Sequence, residues 1–149
     1  MIRDQLIRKD SALSHLQILI AALIVMLLSC TGPDSDYEIR LSMVASITMP
    51  DTVQVGESFE VIIVTIAHHG GCKPGHDDVH AIDNGYRISP YDQIYIGSGP
   101  VDAAIHHFTH DVGLMLDSAG IAEIQIKHHL PSSTGTDSTG TIVQQVVVL

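Results

Sequence analysis

From residue 37 onward the sequence keeps a two-residue hydrophobic period, and no stretch after Cys30 carries the 3.6-residue period of a helix. Ile39, Leu41, Met43, Ala45, Ile47 and Met49 alternate with Arg40, Ser42, Ser46 and Thr48. Successive side chains of a strand point to opposite faces, so this pattern buries one face and wets the other. Pro50-Asp51 interrupts it, and residues 52–55 resume it before Gly56. Residues 58–67, S-F-E-V-I-I-V-T-I-A, are apolar on both faces, which predicts a strand central in its sheet. In residues 121–129 the alternation returns: Ala122, Ile124 and Ile126 take one face, Glu123, Gln125 and Lys127 the other. The chain is expected to be all-β.

Weaker signals complete the count. Residues 79–82 and 86–96 read as strands around the Asn84-Gly85 turn, and Pro90 marks the second as an edge or kinked strand. Tyr91-Asp92 after that proline reads as a turn. Residues 68–76, H-H-G-G-C-K-P-G-H, read as a loop, because three glycines and a proline fall within nine residues. Residues 105–116 and 141–149 read as strands, and the polar stretch 131–140 as a loop. About seven strands separated by turn signals predict an antiparallel sandwich, with a small barrel as the alternative. The succession from residue 49 to 65 is a first strand, a proline kink, a short continuation, a glycine turn and a second strand. It resembles the opening of an immunoglobulin-like sandwich. The Trp and paired cysteines of antibody domains are missing, and Asp117-Ser-Ala-Gly120 stands where a tyrosine corner would precede the sixth strand.

Ahead of this domain, Arg3, Arg8 and Lys9 precede an unbroken apolar run over residues 18–28. These 11 residues are too few for a membrane-spanning helix, which needs about 20, and they fit the hydrophobic region of an export signal. An uncleaved signal anchor is the alternative. The run ends on Leu27-Leu28-Ser29-Cys30, which resembles the lipobox of bacterial lipoproteins. That resemblance implies cleavage before Cys30, removal of residues 1–29 and a lipid on the Cys30 sulfur. Residues 30–36 then form a tether and residues 37–149 the domain. Thr31 after the cysteine, in place of an inner-membrane retention aspartate, implies the outer membrane of a Gram-negative envelope.

Charge narrows the partners. The whole chain has 7 Lys+Arg, 17 Asp+Glu and ten His. Arg3, Arg8, Lys9, Asp4 and Asp10 leave with the signal, so four basic and 15 acidic residues remain, a formal −11. Such a field repels nucleic acid, leaving the membrane (through the lipid) and an envelope protein or glycan as expected partners.

The histidines cluster as His68-His69 with Cys72, His76 and His80, as His106-His107 with His110, and as His128-His129. Placed on an immunoglobulin-like order, the three groups converge at one pole. Imidazole and thiolate suit zinc or copper, so His68, His69, Cys72, His106, His110 and His128 are candidate metal ligands. Adjacent histidines on a strand point to opposite faces, so at most one of each pair can bind. Solvated loop histidines and a pH-responsive surface are the competing readings. With Cys30 acylated, Cys72 has no partner in the chain; it reads as a small buried residue beside Gly70 and Gly71 or as the relic of a disulfide whose partner is missing, and no Asn or Asp stands at motif spacing to make it a nucleophile. His76-Asp77-Asp78 reads as a solvated loop tip. No catalytic constellation is recognisable. The expected function is a non-enzymatic, lipid-anchored binding or structural module, with a metal-binding lipoprotein as the alternative.

Overall fold

The computed structural model describes residues 36–131 and 138–149; the lipobox, Cys30 and most of the tether lie outside them. The described residues are all-β, with nine strands. They are β1 (Tyr37–Leu41), β2 (Met43–Thr48), β3 (Thr52–Val53), β4 (Ser58–Ala67), β5 (Lys73–Ile82), β6 (Gly85–Tyr95), β7 (His106–Met115), β8 (Gly120–Leu130) and β9 (Ser138–Val148). One sheet runs β1-β6-β8-β9-β3 with β5 along the other edge of β6, and the second runs β2-β4-β7.

The inward phase of β4 supplies Phe59, Val61 and Ile63, that of β7 supplies Val112 and Leu114, and that of β8 supplies Ala122, Ile124 and Ile126. Ile88, Val146 and Val148 close the core from the larger sheet. Ile63, Ile88, Ile124, Ile126 and Val146 are all fully shielded from water, each contributing on the order of 1.5–3 kcal/mol by leaving it. β4 is central in its sheet, as its two apolar faces require, and Ala122, Ile124 and Ile126 point inward as their period predicts.

Five expectations need correction. The first apolar alternation is two strands, because the chain crosses between the sheets at Ser42, whose N–H donates to Pro90 O and whose carbonyl accepts from His129 N. Residues 73–76 belong to β5, not to a loop. There Gly75 passes so close to β6 that a Cβ would stand 2.3 Å from Tyr91 O. β6 is an interior strand and Pro90 is fully buried in it. Its missing N–H is tolerated because the neighbour changes there, from β8 along Gly85–Ile88 to β1 along Tyr91–Tyr95. Tyr91-Asp92 accordingly continues the strand. Finally, two pairings are parallel, β6 with β8 and β3 with β9. The long β5–β6 hairpin turns the chain back before it meets β8, so the strand beside β8 runs in the same direction.

Candidate functional site

Three groups of residues meet near one end of the sandwich. Ala67 at the end of β4 pairs with His106 at the start of β7, and His129 near the end of β8 pairs with Thr139. Asp36, the first described residue, lies at this end too, since its carbonyl accepts from Ile96 N and Tyr37 pairs with Tyr95. Leu149, whose neighbour Val148 pairs with Gly120 at the start of β8, lies at the opposite pole.

Between the β1–β2 crossing and the end of β4 lies an open cavity of about 470 Å³. Its apolar wall includes Leu41, Met43, Ile66, Ala67 and Ile94. Its polar lining includes Ser42, His68, His69, Cys72, Asp92 and His129. Glu38 and Arg40 also line it, with their heads 2.6 Å apart in a hydrogen-bonded ion pair. That bond holds the Glu38 carboxyl below the ordinary carboxylate range.

Cys72 is positioned by the glycines before it. Gly70 N–H donates to Asp102 O, and Cys72 N–H turns back to His69 O at 3.3 Å. A Cβ on Gly71 would lie 2.7 Å from Tyr95 Cβ and 2.8 Å from Val101 Cγ1, so only glycine lets this turn sit against them. Cys72 Sγ then lies 3.5 Å from Nδ1 and 3.7 Å from Nε2 of His69. A sulfur nearly equidistant from both ring nitrogens sits over the ring and not on the axis of either N–H. The pair is therefore not a thiol–imidazole dyad aligned for proton transfer.

Beside the cavity is a buried ionic group that joins the two sheets. His110 of β7 has its side chain 3 % exposed, with Nε2 3.2 Å from Asp92 Oδ1 of β6 and Nδ1 2.9 Å from Asp77 Oδ1 of β5. The second contact has ion-pair length, although the N–H does not aim squarely at the oxygen. Thr65 Oγ1 also lies 3.4 Å from Nε2. With a carboxylate at each ring nitrogen, the doubly protonated imidazolium is the form that satisfies both. The hydrogen bond to Asp92 raises the His110 pKa most, burial opposes it, and the charges of Asp77 and Asp92 add to the rise.

No family model, no curated protein and no solved structure matches this chain. Its site is thus read from its own geometry.

Of the six candidate ligands, the structure brings His68, His69 and Cys72 to one cavity. The other three are engaged elsewhere. His106 Nε2 lies 3.2 Å from Asp102 Oδ1, and this bond lowers the Asp102 pKa. His110 is held in its carboxylate clamp. His128 Nδ1 donates to His129 O, and its Nε2 lies where a Cβ on Gly140 would meet it at 2.8 Å. His129, its neighbour on the other face, lines the cavity instead. Among the described residues, no three His, Cys, Asp or Glu side chains are grouped to hold a metal ion.

Sequence reasoning passed over Ser42, Met43, Asp77 and Asp92. Asp77 was read as solvated, yet its side chain is 22 % exposed and that of Asp92 only 2 %. A signal existed for His110, which shares the parity of Val112 and Leu114 and so had to point inward.

Proposed function

We propose that the chain is a lipid-anchored module of the bacterial cell envelope, non-enzymatic, whose immunoglobulin-like sandwich binds a small ligand in the cavity near its tethered end. What carries this is the cavity's position: Glu38, Arg40 and Leu41 of β1, the strand that follows residues 30–36, line it. Six residues, 31–36, lie between Cys30 and β1, so at most about 20 Å of chain separates the lipid from the sandwich. The cavity then faces the bilayer side and Leu149 the outward side.

Several strand relations support the immunoglobulin-like arrangement. β2, β4 and β7 take the places of strands A, B and E, while β8 and β9 form the F–G hairpin. β6 occupies the place of strand C but runs parallel to β8, a departure from the immunoglobulin order. An acylated Cys30 followed by Thr31, and not by a retention aspartate, directs the module to the outer membrane, and the acidic domain directs its partners away from nucleic acid. Replacing Cys30 with serine tests the anchor: the wild type is expected in the membrane fraction and Cys30→Ser in the soluble fraction or unprocessed. Equal membrane retention of both, with both chains cleaved and neither carrying lipid mass, would overturn lipid anchoring.

A further inference from the structure

Away from the cavity, we infer that β7 is an edge at which a second copy of this chain pairs, antiparallel, about a two-fold axis through Thr109. Among the described residues no strand pairs with β7 on the side away from β4. Its carbonyls alternate in direction. Leu116 O accepts from Gly56 N in the turn leading into β4, while Met115 O accepts from the Tyr86 hydroxyl on the other side. By that alternation the odd residues from 107 to 113 turn their N–H and C=O groups to the open edge. The side chains of His107, Thr109 and Asp111 are exposed, and among the described residues none of the three has a hydrogen-bond or ion-pair partner.

Other open edges are blunted. β5 carries Lys73, Pro74 and a register break before Asp77, β2 has a bulge between Val44 and Ser46, and β1 is five residues long. β9 is open before Val147, where β3 begins to cover it, but it offers no charge to set a register. β7 pairs with β4 over ten residues without a shift and contains no proline, lysine or arginine. Its one exposed carboxylate, Asp111, repels most strands of so acidic a chain. Only a strand that brings a donor opposite Asp111 fits this edge.

β7 itself is such a strand. With the axis at Thr109, Asp111 faces His107 of the second copy, and His107 faces its Asp111. Residues directly opposite on one face of a sheet are close enough for the imidazole to donate to the carboxylate. Ile105, just before β7, is 62 % exposed, more than any other large apolar side chain described. In the same register it faces Gly113 of the second copy, where an added Cβ meets nothing within 4 Å, so the isoleucine covers backbone that glycine leaves bare. Neighbouring registers lose the match. An axis at His110 sets Asp111 against Thr109, one at Phe108 sets it against Ile105, and one at Asp111 brings two carboxylates together. A slip of one residue turns the core face outward. The axis inverts the second copy, so its tethered end lies beside the Leu149 pole of the first. Copies anchored as proposed above therefore meet across facing membranes.

The test is sedimentation equilibrium of the full-length chain in a density-matched detergent. The wild type is expected at the mass of two chains. His107→Asp sets carboxylates face to face on both sides of the axis and is expected to weaken association about 3–30-fold. Exchanging the two residues, His107→Asp with Asp111→His, restores the match and is expected to return association to within about threefold of wild type. Thr109→Cys stands on the axis, where the Cα atoms of a hydrogen-bonded pair lie about 5.5 Å apart, within disulfide range. It is expected to cross-link on mild oxidation, whereas the wild type, whose Cys72 is buried, is not. Val143→Lys, on the open part of β9, is expected to change nothing. All these side chains are exposed, and melting curves check that each variant folds. A one-chain mass for the wild type overturns the proposal, as does association of His107→Asp equal to wild type. So does an exchanged variant as weak as His107→Asp, the absence of a cross-link in Thr109→Cys, or a dimer broken by Val143→Lys. Association in detergent does not depend on the lipid, so failure of pairing leaves the anchored module standing, and failure of the anchor leaves the pairing standing.

Discussion

Replacing His110 with leucine isolates the electrostatics of the fold. The imidazole sits between Asp77 and Asp92, with side chains 3 %, 22 % and 2 % exposed, so solvent screens little of the interaction. Removing one member of such a buried ionic group leaves charge uncompensated and costs about 3–5 kcal/mol. Domains of this size have about 5–15 kcal/mol in total, so the variant should fold with a reduced margin. The pH dependence is more diagnostic. The folded-state pKa of His110 is raised above the ordinary histidine value of 6.5. Below that value both folded and unfolded chains hold the proton, and the stabilisation is fully present. Between 6.5 and the raised folded value only the folded chain holds it. There the contribution declines by up to about 1.4 kcal/mol per pH unit and is gone above the folded pKa. Urea unfolding of wild type and His110→Leu from pH 6 to 9 should show a stability difference that is largest at pH 6 and shrinks toward pH 9. Taking the difference cancels the exposed histidines common to both chains. Adding Asp92→Asn to His110→Leu should recover part of the loss, since the orphaned charge is then gone. A difference that stays constant over this range would refute a charged His110 in the fold.

Other perturbations separate packing from backbone fit. Ile126→Ala opens a hole in a fully buried position and should cost about 2–5 kcal/mol by chemical denaturation. Gly85→Ala should be strongly destabilising in thermal melts, since φ is +136° and the new Cβ would stand 2.0 Å from Glu123 O. Gly71→Ala pushes against Tyr95 and Val101 at under 3 Å and should cost about 1–3 kcal/mol. It should also make Cys72 react faster with a thiol reagent, because that contact seats its turn. Equal thiol reactivity in Gly71→Ala and wild type would count against that role.

The parts of the fold legible in the sequence were those set by period. The two-faced apolarity of residues 58–67 identified the central strand, and the alternation at residues 121–129 identified its inward face. The crossing at Ser42 was illegible because an uninterrupted alternation can continue in one sheet or pass to another. Nothing in it marks where the backbone partner changes. β5 was hidden because glycine, proline and charged residues read as loop, while its pairing is enforced from outside by β6. Pro90 misled for a related reason: its missing donor signals an edge only where a neighbour would have needed it. The site was half legible. The grouping of His68, His69 and Cys72 was visible from proximity in the chain, whereas Ser42, Met43 and Asp92 join it only through the topology. His106 and His110 face the carboxylates of Asp102, Asp77 and Asp92, pairings that the histidine clusters alone do not reveal.

Intact-mass spectrometry of the protein extracted from bacterial membranes tests lipid anchoring most directly. A chain lacking residues 1–29 and carrying a diacylglyceryl group on Cys30 is the predicted result. An unmodified chain that still begins at Met1 would contradict it.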